Sequence, residues 1–302
     1  MQPQRIGLVA LLTIVTTLTL DNVQLIQNSK FKIQNSQVLA QTPERDEIRS
    51  AAVQVPAEVS AKGKSGNFDY WFNLGKSLLA KENYAQALEA YDRAVELNSN
   101  SESAWQNRGN VLYSLKQYED AIASFERAIN INPNNDDSWV ARGNALDDLG
   151  KPDEALASYD RAIALNPKST WAWYNRGVTL ERLERYEDAI ASYDKVIRLT
   201  PDDEDAWFHR GLVAGKSKRY QEAFGAFDRV TRLNPKSEAA WYNRGLALWQ
   251  LNRHEEALKS FEEVLRINPD NTDAQDNRKH LLQQLNQQTD TEVVLLPQWS
   301  LS

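Results

Sequence analysis

Apolar residues from Phe68 onward follow two alternating helical stripes. In the first stripe, Trp105, Gly109 and Leu112 keep the three- and four-residue steps of one helix face. The second stripe keeps the same steps over three turns, at Tyr118, Ala121, Ile122, Phe125, Ala128 and Ile129. This alternation predicts an all-α chain built from pairs of short helices.

The helix pair repeats every 34 residues, and a glycine marks each repeat. A tryptophan lies four residues before each glycine, an alanine twelve after it, and a tyrosine or phenylalanine sixteen after it. Small residues let the two backbones approach where the helices cross, while the rings fill the space beside them. A proline closes five of the six repeats and cannot continue a helix. The marker glycines are Gly75, Gly109, Gly143, Gly177, Gly211 and Gly245.

This set of residues resembles the tetratricopeptide repeat, and we expect the protein to be bacterial. The resemblance implies a right-handed α-solenoid with a concave inner groove, in which each repeat buries its apolar face against its neighbours. Gln275 and Lys279 stand where the next tryptophan and glycine would fall, which predicts a polar capping helix. The predicted segments are six repeats (68–101, 102–135, 136–169, 170–203, 204–237 and 238–271), the capping helix (272–286) and an apolar tail (287–302).

The sequence departs from the family in one systematic way. An arginine, as at Arg142, precedes five of the marker glycines, and an acid, as at Glu126, follows every second-helix ring. We interpret the two series as a ladder of ion pairs that joins each repeat internally or to its neighbour. The alternative is an arginine row that binds anionic ligands.

In the tetratricopeptide arrangement the first helix of each repeat lines the groove. The resemblance therefore implies a binding stripe six and three residues before each glycine and one and four after it. The first half of this stripe is mixed polar and the second half aromatic, which suits an extended peptide whose backbone bonds to Asn110 and Asn144. The alternative is that the rings only pack against adjacent helices. The predicted groove residues are Phe72, Gln106, Asn110, Tyr113, Asn144, Trp171, Tyr174, Phe208, Tyr242 and Trp249.

The N-terminus predicts export or a membrane tether. Arg5 precedes an uncharged run over residues 6–20, which is too short for an ordinary spanning helix and suits a signal segment. We interpret 1–40 as a signal peptide or membrane anchor and 41–66 as a flexible linker. The expected location is exported, periplasmic or luminal, or membrane-tethered. An uncleaved anchor and a cytoplasmic protein are the alternatives.

Composition and charge narrow the function. The chain has 42 acidic and 35 basic residues and a net charge of −7, which argues against nucleic acid as a partner. It has no cysteine and only three scattered histidines. No zinc-protease, phosphate-loop or dinucleotide motif occurs. We therefore expect no catalytic residues, no metal and no cofactor.

The predicted function is a non-enzymatic scaffold or assembly factor that binds proteins or extended peptides in the groove. One alternative is an accessory subunit that presents substrate to a separate enzyme. Another is a structural oligomer whose groove is self-occupied. The apolar segment 293–299 supports the last alternative, because such a patch should dock on the final helices or in the groove.

Overall fold

The computed structural model describes residues 66–295, with side chains up to Asn286. These residues form thirteen α-helices and no strand. They belong to two compact units, divided between Leu115 and Lys116. Within the part of the chain that the structure describes, no helix combines the length and the apolar character that a membrane crossing requires. The predicted signal or anchor segment, nearly all of the predicted linker and the last residues of the tail lie outside the described part.

Helices of two lengths alternate along the chain. The first helix of each repeat has 13 residues and the second has 14. The first helices are α1 (Phe68–Ala80), α3 (Glu102–Ser114), α5 (Asp136–Asp148), α7 (Thr170–Arg182), α9 (Glu204–Lys216) and α11 (Glu238–Gln250). The second helices are α2 (Tyr84–Leu97), α4 (Tyr118–Ile131), α6 (Pro152–Leu165), α8 (Tyr186–Leu199), α10 (Tyr220–Leu233) and α12 (His254–Ile267), and α13 (Thr272–Leu295) follows them.

Local residues explain where these helices start. The side chains of Ser101 and Asn135 accept hydrogen bonds from first-turn N–H groups of α3 and α5. Pro152, which lacks an N–H group, opens α6. Each turn from a first to a second helix contains one residue with left-handed backbone, and Gly150 (φ 80°) is the one glycine among them. The other turns place a residue with a Cβ there, at Glu82, Lys116, Glu184, Lys218 and Asn252.

The marker glycines sit directly beneath the second-helix rings. In the first compact unit, a Cβ on Gly75 would lie 2.8 Å from the ring of Tyr91. In the second compact unit, a Cβ on Gly177 would lie equally close to the ring of Tyr193. Within each unit, every helix packs on the next one along the chain. The prediction of an all-α solenoid of stacked helix pairs is confirmed.

The last helix is longer than predicted. The capping helix was expected to end at residue 286, but α13 continues to Leu295 and includes most of the predicted apolar tail. No glycine or proline interrupts the chain between Asn271 and Pro297. The residue before a proline disfavours helical backbone, which explains an end close to Pro297.

Helix α13 repeats the contacts of a first helix. The indole Nε1 of Trp241 donates to the carbonyl of Pro235 at 3.1 Å, and the amide Nε2 of Gln275 donates to the carbonyl of Pro269 at 2.7 Å. Gln275 therefore replaces the tryptophan hydrogen bond without its ring. Its polar side chain is exposed, as expected for a helix at the end of the stack.

Candidate functional site

The arginines before the marker glycines are held in ion pairs. Each one contacts the acid 16 positions earlier, on the second helix of the preceding repeat. The ladder interpretation is therefore correct, and its rungs join neighbouring repeats. The N–O distances are 2.6 Å for Arg108–Asp92, 2.9 Å for Arg142–Glu126, 2.7 Å for Arg176–Asp160, 2.6 Å for Arg210–Asp194 and 3.1 Å for Arg244–Asp228. On α13, Arg278 precedes Lys279 instead of a glycine and lies 3.5 Å from Glu262.

Four of the arginines, Arg142, Arg176, Arg210 and Arg244, also bond within their own repeat. Arg142 Nη1 donates to Ser158 Oγ at 2.7 Å, and Arg176 makes the same contact with Ser192 at 2.8 Å. The guanidinium of Arg176 lies 5.9 Å from the centre of the Trp173 ring. Because the partner acids are partly exposed, each rung contributes at most about 1 kcal/mol. The ladder therefore fixes the stacking of neighbours and belongs to the scaffold.

The groove residues predicted in the first compact unit are all partly buried. Phe72 stacks on Phe68 at a centroid distance of 5.4 Å and meets the Tyr91 ring edge-on at 6.0 Å. Its ring therefore packs against the second helix of its repeat and keeps part of its surface exposed. Gln106, Asn110 and Tyr113 lie on α3 with part of their surface exposed.

Asn144 has its amide oxygen committed to the scaffold. Asn144 Oδ1 accepts from the hydroxyl of Tyr159 at 2.9 Å and from Asn175 Nδ2 at 2.8 Å. An amide oxygen has two lone pairs, so these two bonds occupy it. The predicted bond of Asn144 to a peptide backbone would therefore have to use its Nδ2 group, donating to a carbonyl.

Tyr174 is not available as a groove ring. It is 3 % exposed and meets the Tyr193 ring edge-on at 5.8 Å and the His209 ring edge-on at 5.6 Å. His209 belongs to the next repeat, at a position where four of the other five repeats carry an asparagine, as at Asn175 and Asn243. The larger imidazole packs against the tyrosine, so the expectation of an exposed ring at Tyr174 is wrong.

Four predicted aromatic side chains keep exposed surface in the second compact unit: Trp171, Phe208, Tyr242 and Trp249. Phe208 rests edge-on against Phe227 at 5.6 Å. Tyr242 and Trp249 both rest edge-on against one ring, Phe261, at 5.6 and 6.4 Å. Their buried edges are therefore fixed by the core while another part of each side chain remains open to a ligand.

A buried charged cluster beside these rings was missed at the sequence level. Glu181 is 8 % exposed and accepts hydrogen bonds from the Lys216 ammonium at 2.8 Å and the Tyr193 hydroxyl at 3.3 Å. Nδ1 of His209 lies 3.2 Å from the same carboxylate. Burial alone would raise the pKa of Glu181, but the hydrogen bond and charge of His209 and the charge of Lys216 outweigh it and lower the pKa to about 2.

The preceding repeat contains a related pair with the opposite pKa shift. Asp147 Oδ1 lies 2.6 Å from Arg182 Nη2. Burial raises the pKa of Asp147 to about 6, although Arg182 opposes this shift. Both pairs join an acid four residues after a marker glycine to a base 35 positions later. That spacing is the signal by which the sequence could have revealed them.

The fold and this surface define a helical-repeat protein of stacked helix pairs with variable side chains on the first helices. The tetratricopeptide repeat model matches residues 72–136, 140–204, 183–238 and 208–272, about two thirds of the chain. The chain belongs to the tetratricopeptide repeat family, whose members are generally non-enzymatic interaction scaffolds.

Solved structures of other repeat proteins share the fold. YrrB, described as a TPR protein with an unusual peptide-binding site, is 24 % identical, with a TM-score of 0.56 over 64 % of this chain and 99 % of its own. PilF of Pseudomonas aeruginosa is 17 % identical, with a TM-score of 0.58 over 70 % and 97 %. A repeat protein from Cytophaga hutchinsonii is 21 % identical, with a TM-score of 0.61 over 68 % and 83 %. No curated protein sequence matches the chain significantly.

Proposed function

We propose that this chain is a non-enzymatic scaffold or assembly factor that binds an extended segment of a partner protein on its first helices. One observation carries the proposal. The scaffold positions are nearly constant in every repeat, whereas the first-helix stripe of the second compact unit varies and retains four partly exposed aromatic residues. Stacking alone does not require a partly exposed ring at Trp171, Phe208, Tyr242 or Trp249.

Burial of these rings supplies a usable binding energy. At ~25 cal/mol per Å², a ligand that covers roughly 60 Å² of each ring gains about 1.5 kcal/mol per ring. Tryptophan and tyrosine lose little side-chain entropy when a ligand orders them, and they are frequent anchors in interfaces. The rings are already fixed against Phe227 and Phe261, which lowers that entropic cost further. YrrB, a protein of the same fold, is described as having a peptide-binding site, which supports a peptide as the ligand class.

The proposal is tested by affinity capture of the tagged full chain from its native cells. Phe208→Ala and Tyr242→Ala should each reduce capture of the partner. Leu199→Ala is the matched control, because Leu199 is 39 % exposed on a second helix and lies outside the groove stripe. Equal capture by all variants contradicts binding on the first helices. A partner with a catalytic domain would indicate the accessory-subunit role. A defined oligomer without any partner would indicate self-occupation.

We also propose that the protein acts outside the cytoplasm or on a membrane, through the uncharged segment 6–20. Cell fractionation with mass spectrometry of the N-terminus tests this location. An exported protein should begin at Gln41, and a tethered one should sediment with membranes. A soluble cytoplasmic chain that begins at Met1 would contradict both forms of the proposal.

A further inference from the structure

A recurring contact between first helices stops at Gly215. Four residues after the third marker glycine, Asp147 reaches Arg182, and at the equivalent place in the fourth repeat Glu181 reaches Lys216. The fifth repeat has Gly215 at this position, and the following repeat has Gln250 where the base would stand. The place that two carboxylate side chains fill in the preceding repeats therefore has no side chain here.

Packing does not require this glycine. A Cβ on Gly215 would meet only the Cβ of Ala223, at 4.0 Å, which is an ordinary contact. In the same helix, a Cβ on the marker glycine Gly211 would come within 2.8 Å of a ring. A glycine inside a helix is also less stable than an alanine, so helix stability does not favour it either. Gly215 therefore leaves a hollow that the fold itself does not need.

The first helix of the next repeat, α11, contacts α9 and carries apolar side chains. In the next repeat, Trp249 stands at the position equivalent to Gly215 and is partly exposed. Leu246 lies one turn before it and packs in the same apolar cluster. Lys216, bound to Glu181, follows Gly215 directly in the chain. The neighbouring helix therefore offers apolar surface, and the base next to Gly215 is already neutralised by Glu181.

The charged groove positions of the second compact unit all carry acids. The two bases that follow groove positions, Arg182 and Lys216, are bonded to Asp147 and Glu181. Asp205 and Asp273 stand at the first groove position of α9 and α13, six residues before Gly211 and Lys279. The other acids along this stripe are Asp137 and Asp276, both exposed.

We propose that the Gly215 hollow binds a bulky apolar side chain of a partner peptide whose neighbouring residues are basic. The inference rests on the proposed function and specifies its partner. An apolar side chain fills the space between Gly215 and Trp249, and flanking lysines or arginines face the acidic edge. The chain's own segment 290–302 fits poorly, because it carries two acids and no base.

Fluorescence anisotropy with the purified full chain tests the proposal. The probes are labelled ten-residue peptides in a glycine–serine background. One has a tryptophan flanked by lysines, a second has glutamates in place of the lysines, and a third has alanine in place of the tryptophan. The lysine–tryptophan peptide should bind at least about tenfold more tightly than either of the others. A fourth probe is the segment 290–302.

Gly215→Leu should weaken binding of the lysine–tryptophan peptide by about tenfold. Gly225→Leu is the matched control, because Gly225 is an exposed helical glycine with nothing within 4 Å of its Cβ. Gly215→Ala serves as a second variant if the leucine variant does not fold. It should fold at least as well as the wild type and weaken binding by about threefold.

The outcomes separate this inference from the proposed function. If the wild type binds none of the peptides at 1 mM (a concentration far above ordinary peptide affinities, on the order of 1 μM), the inference fails. The proposed function is then decided by the affinity capture described above. If Phe208→Ala abolishes binding but Gly215→Leu and Gly215→Ala do not alter it, only the hollow is refuted. Tighter binding of the glutamate peptide overturns the charge preference. Tighter binding of segment 290–302 does so too and indicates self-occupation.

Discussion

Glu181→Gln removes the charge at the centre of the buried cluster and keeps its shape. The pKa of this carboxyl is lowered from 4.5 to about 2, even though burial acts in the opposite direction. A shift of roughly 2.5 pKa units corresponds to about 3 kcal/mol in favour of the ionised form. The side chain is 8 % exposed, so solvent screening reduces this figure little. We expect the substitution to destabilise the second compact unit by about 2–3 kcal/mol at pH 7.

The pH dependence has a defined sign. A carboxyl whose folded pKa lies below its unfolded value contributes stability above the unfolded pKa, and this stability is lost as pH falls through the folded pKa. The difference between wild type and Glu181→Gln should therefore stay constant from pH 7 to about 5 and shrink from pH 4.5 towards 2.

Urea unfolding followed by tryptophan fluorescence measures this difference at several pH values. Amide hydrogen exchange in α7 and α9 locates it, because repeat proteins can unfold in parts. Glu187→Gln, an exposed acid on α8, is the control and should change stability by less than about 0.5 kcal/mol. A loss at Glu181→Gln no larger than the control's would refute the reasoning, and so would a loss of equal size at pH 3 and pH 7.

Three further predictions concern other parts of the scaffold. The raised pKa of Asp147 makes its ionised form unfavourable above pH 6, so the free energy of unfolding of the wild type should rise by about 1 kcal/mol from pH 7 to pH 5. Asp147→Asn should remove this rise. An unchanged pH profile of urea unfolding in the variant contradicts the prediction. Gly177→Ala should lower stability by about 1–3 kcal/mol, because its Cβ would lie 2.8 Å from a ring. Gly225→Ala should raise stability by about 0.5–1 kcal/mol, because nothing lies within 4 Å of its Cβ. Equal shifts in thermal melting would argue against the packing account. Glu184 and Gly150 both have positive φ, which glycine adopts more easily than other residues. Glu184→Gly should therefore stabilise its turn by about 0.5–1 kcal/mol, and Gly150→Ala should destabilise its turn by a similar amount. A lower melting temperature for Glu184→Gly would refute the strain argument.

Periodic residues carried most of the fold prediction. The register of Gly177 under its ring, the helix pairs and the Arg–acid series could all be read from spacing, because each depends on neighbours at fixed offsets along the chain. The spacing left open whether each ion pair of the ladder lies within a repeat or between neighbouring repeats. The i−16 contact of Arg142 with Glu126 shows that its rungs join neighbouring repeats. The extension of α13 beyond residue 286 was not predicted, because the polar stretch after Leu285 lacks an amphipathic pattern although it contains no glycine or proline.

The sequence by itself determined the scaffold of this protein, its acidic character and the stripe of first-helix positions that differ between repeats. Only the tertiary structure decided which of those positions remain open. Tyr174 is buried because His209 of the next repeat packs against it, and the Asn144 oxygen is occupied because Asn175 reaches it from the next repeat. Such contacts depend on the size and polarity of a side chain about 30 positions away, and a repeat pattern does not encode that information at any single position.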